Sequence, residues 1–201
     1  MARRGPYSKG IERREEILRV ALEVIAERGS RQASNQEIAR RVGLSQAGLM
    51  HYFDSREELY IEVLRERDRR DTAQYLQPTT DFDGILAVID HNTRVPGLVR
   101  LYVEYSAEAS LGKHPANEFF KSRQAMAHDL YAEALLAAQR AGEFGPEVDV
   151  DATADILIAA TDGLQHQWLL DSSVDMVGQL RSLWASLAAL SRAQPVISAQ
   201  R

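Results

Sequence analysis

The chain contains no cysteine. That excludes a disulfide framework and any zinc site built on thiolates. No stretch approaches the roughly 18 consecutive apolar residues of a membrane-spanning helix. Arg3 and Arg4 stand near the start, but no apolar run follows them, so the N-terminus does not read as a secretory signal. The expectation is a soluble, cytoplasmic protein with no membrane partner. His51, His91, His114, His128 and His166 lack paired ligand spacing such as H-E-x-x-H, so no metal is expected. P-loop and G-x-G-x-x-G motifs are also missing, and no cofactor is expected. Sustained two-residue alternation, the signal for strands, is absent as well.

What remains is an ordinary globular balance over 201 residues, 45% hydrophobic and 26% charged. Length suggests one or two domains. Net charge is −5, an unpromising sign for a nucleic-acid partner. Its distribution is more informative. Residues 1–70 hold 15 Lys+Arg against 12 Asp+Glu, whereas residues 71–201 hold 9 against 17. A front of net +3 and a rear of net −8 suit a protein that presents one end to phosphate. A mixed solvated surface is the plainer reading of the same counts.

Helical periodicity runs through almost the whole chain. Ile17, Leu18, Ala21, Leu22 and Ile25 recur at helical spacing from Ser8 to about Arg28, and Gly29 supplies a stop. Ser34 and Glu37 have the spacing of a capping box before Ile38, Ala39 and Val42. Gly43 breaks that short helix, and Ser45 opens another with Leu49, Tyr52 and Phe53 available for packing. Ser55 and Glu58 form a second capping box before a long helix that fades ahead of Pro78. Beyond it, helices are expected over about 85–92, 96–111, 116–141, 151–171 and 175–193. The fold class is all-α with about nine helices.

The segment Ser34 to Phe53 carries the chemistry. Two short helices joined across a glycine-containing turn make a helix-turn-helix. Gly43 permits the positive φ common just past a helix C-terminus. Val42, Leu44 and Leu49 can fix the angle between the helices. The first turn of the second helix, Ser45-Gln46-Ala47-Gly48, is then free to meet base edges in a major groove. Gln46 can donate and accept at once, as a bidentate partner of adenine would. Ala47 and Gly48 are small enough to let the backbone approach DNA. Gly43-Leu44-Ser45-Gln46-Ala47 also comes close to a nucleophile elbow, but that motif needs a preceding strand, and here a helix precedes it.

The runs Ser34-Asn35-Gln36-Glu37-Ile38-Ala39, Val42-Gly43-Leu44-Ser45, Leu49-Met50-His51-Tyr52-Phe53 and Ser55-Arg56-Glu57-Glu58-Leu59 together resemble the TetR family of repressors. The resemblance covers about residues 10–65 and agrees with the remainder only in length and helix count. It implies an N-terminal DNA-binding domain at 1–56 and a ligand-binding and dimerisation domain at 57–201. It places Ser34 at a helix start facing phosphate, with Asn35 beside it in the contact set, Gln36 and Gln46 toward bases, and His51, Tyr52 and Arg56 on the DNA backbone. Ser45, Ala47, Gly48 and Met50 complete the contact set, and Lys9 joins Arg3 and Arg4 in a basic arm. Gly48 and Met50 depart from the family, which often has a hydroxyl residue and a tyrosine there, and each departure removes a phosphate hydrogen bond. For Tyr52 the alternative role is core packing beside Phe53, and for His51 a solvated ring. Arg40 and Arg41 read as a solvated face.

In the second half, Met176, Leu180, Leu183, Leu187 and Leu190 alternate at spacings of four and three, with Trp184 among them. Leu157, Thr161, Leu164 and Trp168 repeat that spacing on the preceding helix. Such seams serve an internal core or a symmetric four-helix interface; the resemblance implies the second. A homodimer doubles the readout on a palindromic double-stranded operator. Tyr102, Tyr105, Phe120 and Met126, with the polar Asn92, Asp162, Gln165 and His166, are the candidate lining of an effector pocket, although aromatics at this spacing also build cores. The acidic rear favours a largely apolar effector, neutral or cationic. The function expected is a non-enzymatic, DNA-binding transcriptional repressor released by a small molecule. An all-α enzyme or a ligand-binding scaffold is the reading from another class, favoured if the chain retains no genomic DNA.

Overall fold

In the computed structural model the described residues are 6–29, 32–77 and 81–193. Arg3, Arg4 and Pro78 lie outside them. Nine α-helices and no strands occur among the described residues. They are α1 (Pro6–Arg28), α2 (Asn35–Arg41), α3 (Gln46–Met50), α4 (Arg56–Tyr75), α5 (Phe82–Asn92), α6 (Pro96–Ala109), α7 (Asn117–Arg140), α8 (Val150–Leu170) and α9 (Met176–Ala193). The chain folds into two units, residues 1–72 with 94–120 and residues 73–93 with 121–201.

The first unit has one continuous apolar core. Ile17, Ala21, Val24 and Ile25 of α1 meet Ile38 of α2, Leu49 of α3, Leu59 and Leu64 of α4, and Leu98 and Leu101 of α6. Each such aliphatic side chain, fully buried, contributes about 1.5–3 kcal/mol. This burial is what holds α2 and α3, which at seven and five residues are too short to persist alone. Local chemistry sets their ends. The Glu37 N–H donates to Ser34 Oγ at 3.1 Å and the Gly48 N–H to Ser45 Oγ at 3.0 Å. Gly43, at φ +68°, takes the left-handed conformation that turns the chain between them. Pro96-Gly97 opens α6 as the sequence suggests, but the glycine has a further reason. A Cβ at Gly97 would lie 1.9 Å from the Ile25 carbonyl oxygen, so α6 approaches the end of α1 at backbone distance.

In the second unit Asp81, Asp149 and Asp175 cap α5, α8 and α9 through the N–H groups of Gly84, Ala152 and Gly178. Trp184 of α9 stacks on Phe82 of α5 at 4.0 Å, meets the edge of Phe144 at 4.8 Å, and donates its indole N–H to Glu143 at 2.6 Å. The spacing-derived seams resolve here. Leu157, Thr161, Leu164 and Trp168 of α8, and Met176, Leu180 and Trp184 of α9, are all buried within the single chain. Leu183 and Leu187 are half-buried, and Leu190 is exposed. The faces left open run instead through Ile156, Ala159, Gly163 and Leu170 on α8 and through Ser186 and Leu190 on α9.

Candidate nucleic-acid interface

The residues expected to meet DNA divide by exposure. Ser34 and Gln36 of the α2 end, Ser45, Gln46 and Ala47 of the α3 end, His51, Arg56 and Lys9 are exposed. Asn35, Gly48, Met50 and Tyr52 are half-buried. Between them, Leu49 is fully buried and anchors α3. A five-residue helix thus turns its first turn outward and its leucine inward. Gln46 consequently offers both an amide donor and an acceptor to solvent, the pair needed for bidentate contact with adenine.

Two arginines of α1 hold this arrangement by gripping backbone carbonyls. Arg13 donates to the carbonyl of Val42, the residue that ends α2, and also bonds Glu16. Arg14 donates to the carbonyl of Tyr52, just past α3, pairs with Glu58 at 2.9 Å, and lies over the Phe53 ring at 4.3 Å. Cations at these two helix C-termini neutralise carbonyls that no turn satisfies. Sequence reading missed both residues. Their partners are 29 and 38 positions away, and no local pattern encodes such contacts.

A second clamp works from α4. The Arg56 Nη2 donates to the Tyr60 hydroxyl at 2.8 Å, and that hydroxyl donates to the Ala33 carbonyl at 2.7 Å, immediately before the α2 cap. Arg56 is therefore braced at the α2 N-terminus, where a phosphate contact would need it. Tyr60, buried in the core, has its phenol pKa raised by burial and stays neutral.

Three expectations change in detail. Glu37 does not complete its capping box. Its carboxylate takes Arg40 at 2.9 Å and Arg41 at 3.1 Å, and Arg28 lies 3.5 Å away. Those bonds, to Arg40 first, hold the Glu37 pKa down at about 2. Arg40 and Arg41 are thereby committed to a surface network that includes Glu27, 2.7 Å from Arg41. Glu58 likewise accepts from the Asp54 N–H and from Arg14 rather than from the Ser55 N–H. Met50, which stands where the family often has tyrosine, receives the Asn35 amide on its sulfur at 3.2 Å and ties α2 to α3. Tyr52 packs against the core, and His51 stays exposed with its ring edge-on to Tyr52 at 6.0 Å.

The expected effector residues are distributed over both units. Tyr102 and Tyr105 are buried in the core of the first unit, with Tyr102 against half-buried Phe120 at 5.5 Å and Tyr105 against Tyr60 at 5.6 Å. In the second unit Asn92 and Gln165 are buried, Asp162 is half-buried, and Met126 and His166 are exposed. Met126 and His166 are therefore surface residues of the chain. Open grooves of about 540 and 400 Å³ occur in this unit, the first beside Phe144, Pro146 and Ser191 and the second beside Phe82, Ala138 and Trp184. Neither is lined by the expected residues.

Residues 17–63 match the family described as bacterial regulatory proteins, tetR family. Over 174 residues the chain is 28% identical to the HTH-type transcriptional regulator YdgC of Bacillus subtilis, covering 84% of this chain and 87% of that protein. It is 28% identical over 152 residues to the HTH-type transcriptional repressor KstR2 of Mycobacterium tuberculosis, covering 69% of this chain and 72% of that protein. Among solved structures it is similar to Salmonella enterica GusR, with TM-score 0.65 and 26% identity over 89% of this chain and 96% of that one. The helix-turn-helix lies within the segment that matches the tetR family, and the all-helical architecture is shared with the solved relative, so the chain is a DNA-binding transcriptional regulator with a head similar to those of that family.

Proposed function

We propose that the protein is a cytoplasmic repressor that binds a palindromic operator as a homodimer and leaves it when a small-molecule effector binds. The observation that carries the DNA part is the outward first turn of α3, with Gln46 and Ala47 exposed above buried Leu49 and braced by Arg13 and Arg14. Residues 1–56 do the reading, and residues 57–201 supply dimerisation and effector binding. Base contacts come from Gln36, Gln46 and the small residues Ala47 and Gly48. Ser34, Asn35, Ser45, His51, Tyr52, Arg56 and Lys9 position the protein on phosphate, and Met50 acts through its link to Asn35.

The dimer is supported by the apolar surface that α8 and α9 leave uncovered. Ile156 is 52%, Leu170 77% and Leu190 65% exposed. Leu183 and Leu187, half-buried, border that surface, whereas Leu157, Thr161, Leu164, Trp168, Leu180 and Trp184 support it from beneath. Release follows a shift of population toward a spacing of the two α3 helices that no longer fits the operator. The deciding experiment is selection of bound fragments from genomic DNA with the full-length protein. An enriched inverted repeat is expected, with half-sites about one helical turn apart. Retention of no specific fragment would falsify the regulator reading and favour a scaffold or an enzyme.

A further inference from the structure

Gln165 lies on the inward face of α8, 4% exposed. Its Oε1 is buried, and no donor among the described residues reaches it. The neighbouring hydroxyls cannot supply one. One turn earlier on α8, the Thr161 hydroxyl donates to the Leu157 carbonyl at 2.8 Å. Tyr131, 2.6 Å from the same oxygen, must then donate its own proton to Thr161. Both hydroxyl hydrogens are thus spent. Burial pushes the Tyr131 phenol up to about 12, so it keeps its proton across the neutral range. A buried acceptor left without a donor destabilises a fold, and native cores keep few of them.

We propose that Gln165 Oε1 is the acceptor for the effector, a small molecule with an apolar body and an O–H or N–H donor. This assignment rests on the effector-released regulator described above and names the chemistry of its ligand. An alcohol and an ammonium share the required donor. A carboxylate does not have one at neutral pH, and it would also meet Asp162 three residues away on α8 and the net −8 of residues 71–201.

The test uses the full-length dimer, two variants and three probes with one ring skeleton. The variants are Gln165→Met, of similar length without the amide, and Gln165→Leu, a second apolar side chain that guards against a packing effect of methionine alone. The probes are cyclohexylmethanol, cyclohexylmethylamine and cyclohexanecarboxylate. Without probe, at least one variant is expected to melt about 2–4 °C above the parent protein, because an unmet acceptor has been removed. The alcohol or the amine should raise the parent's melting temperature and leave both variants unmoved, and which of the two acts separates a neutral from a charged ligand. If both variants melt below the parent, the amide has a partner in solution and the assignment is overturned. It is equally overturned if the carboxylate alone acts, if parent and variants respond alike, or if no probe acts. Failure of the probe-free parent to bind any operator would instead sink the regulator reading, whatever the melting curves show.

Discussion

The two functional ends of this protein are fastened by different means. At the helix-turn-helix, polar side chains grip backbone: Arg13 holds Val42, Arg14 holds Tyr52, and Tyr60 holds Ala33. At the C-terminal pair, side chains grip each other: Trp184 lies between Phe82 and Phe144, and Tyr131 bonds Thr161. The difference follows from helix length. Helices α8 and α9, of 21 and 18 residues, present several turns to a common core. Helices α2 and α3, of seven and five, satisfy few of their own terminal groups and need outside donors. A reading head built in this way keeps its outer face free of apolar bulk.

The largest effect should come from charging the open faces of the rear. Ile156→Asp with Leu190→Asp is expected to leave each chain folded, since both positions are exposed in it, but to weaken the dimer by about 1000-fold or more. Analytical ultracentrifugation should show monomer, and a persistent dimer would place the interface elsewhere. Removing one member of the rear's aromatic set comes next. Trp184→Ala should cost about 3–5 kcal/mol in urea unfolding. Arg14→Ala tests the front by its own logic. It frees one backbone carbonyl, at a cost of about 1–3 kcal/mol, and should accelerate amide exchange in residues 46–50 while α8 exchanges at its normal rate. Equal acceleration in both segments would erase the contrast.

Two smaller effects refine it. Gln46→Ala should reduce operator binding by about 1–3 kcal/mol, and only for operators with the matching base pair. Arg56→Ala should weaken all sequences alike and lower the salt slope by about one phosphate contact. A uniform loss for Gln46→Ala would remove it from the base readers. The smallest effect concerns pH. Glu37 titrates near 2 in the folded chain, below the ordinary glutamate value of 4.5. Its contribution is therefore complete above about pH 4.5 and is lost as pH falls toward 2. Glu37→Gln should flatten that acid limb of the stability curve, and an unchanged limb would show that the surface network adds nothing.

Legibility in sequence followed range. The caps at Ser34, Ser45 and Ser55 and the turn at Gly43 obey rules that act over three or four residues, so their positions and the helix-turn-helix were readable. The partner of Glu37 was not, because Arg28 and Arg41 compete with the cap for the same carboxylate. Periodicity found the apolar stripe on α8 and α9 but could not assign its neighbours. On α8 Leu157 faces its own chain and the open Ile156 and Ala159 lie one and two positions away, whereas on α9 Leu180 is buried and Leu190 of the same stripe is exposed. The residues expected to line an effector pocket were hardest. Tyr102 and Gln165 both look like polar-edged core in sequence, and only packing shows that Tyr102 has ring partners while one atom of Gln165 has none.

The backbone contact at Gly97 limits how the regulator can be re-engineered. A chimaera that exchanged residues 1–56 for another head would cut between Ile25 and the helix that rests on it, because α6 belongs to the first unit although it follows α5 in the chain. A graft must therefore carry residues 94–120 with the head, or bring an α1 whose last turn tolerates this α6. Gly97→Ala, a single methyl group, should report whether a given graft has preserved that fit.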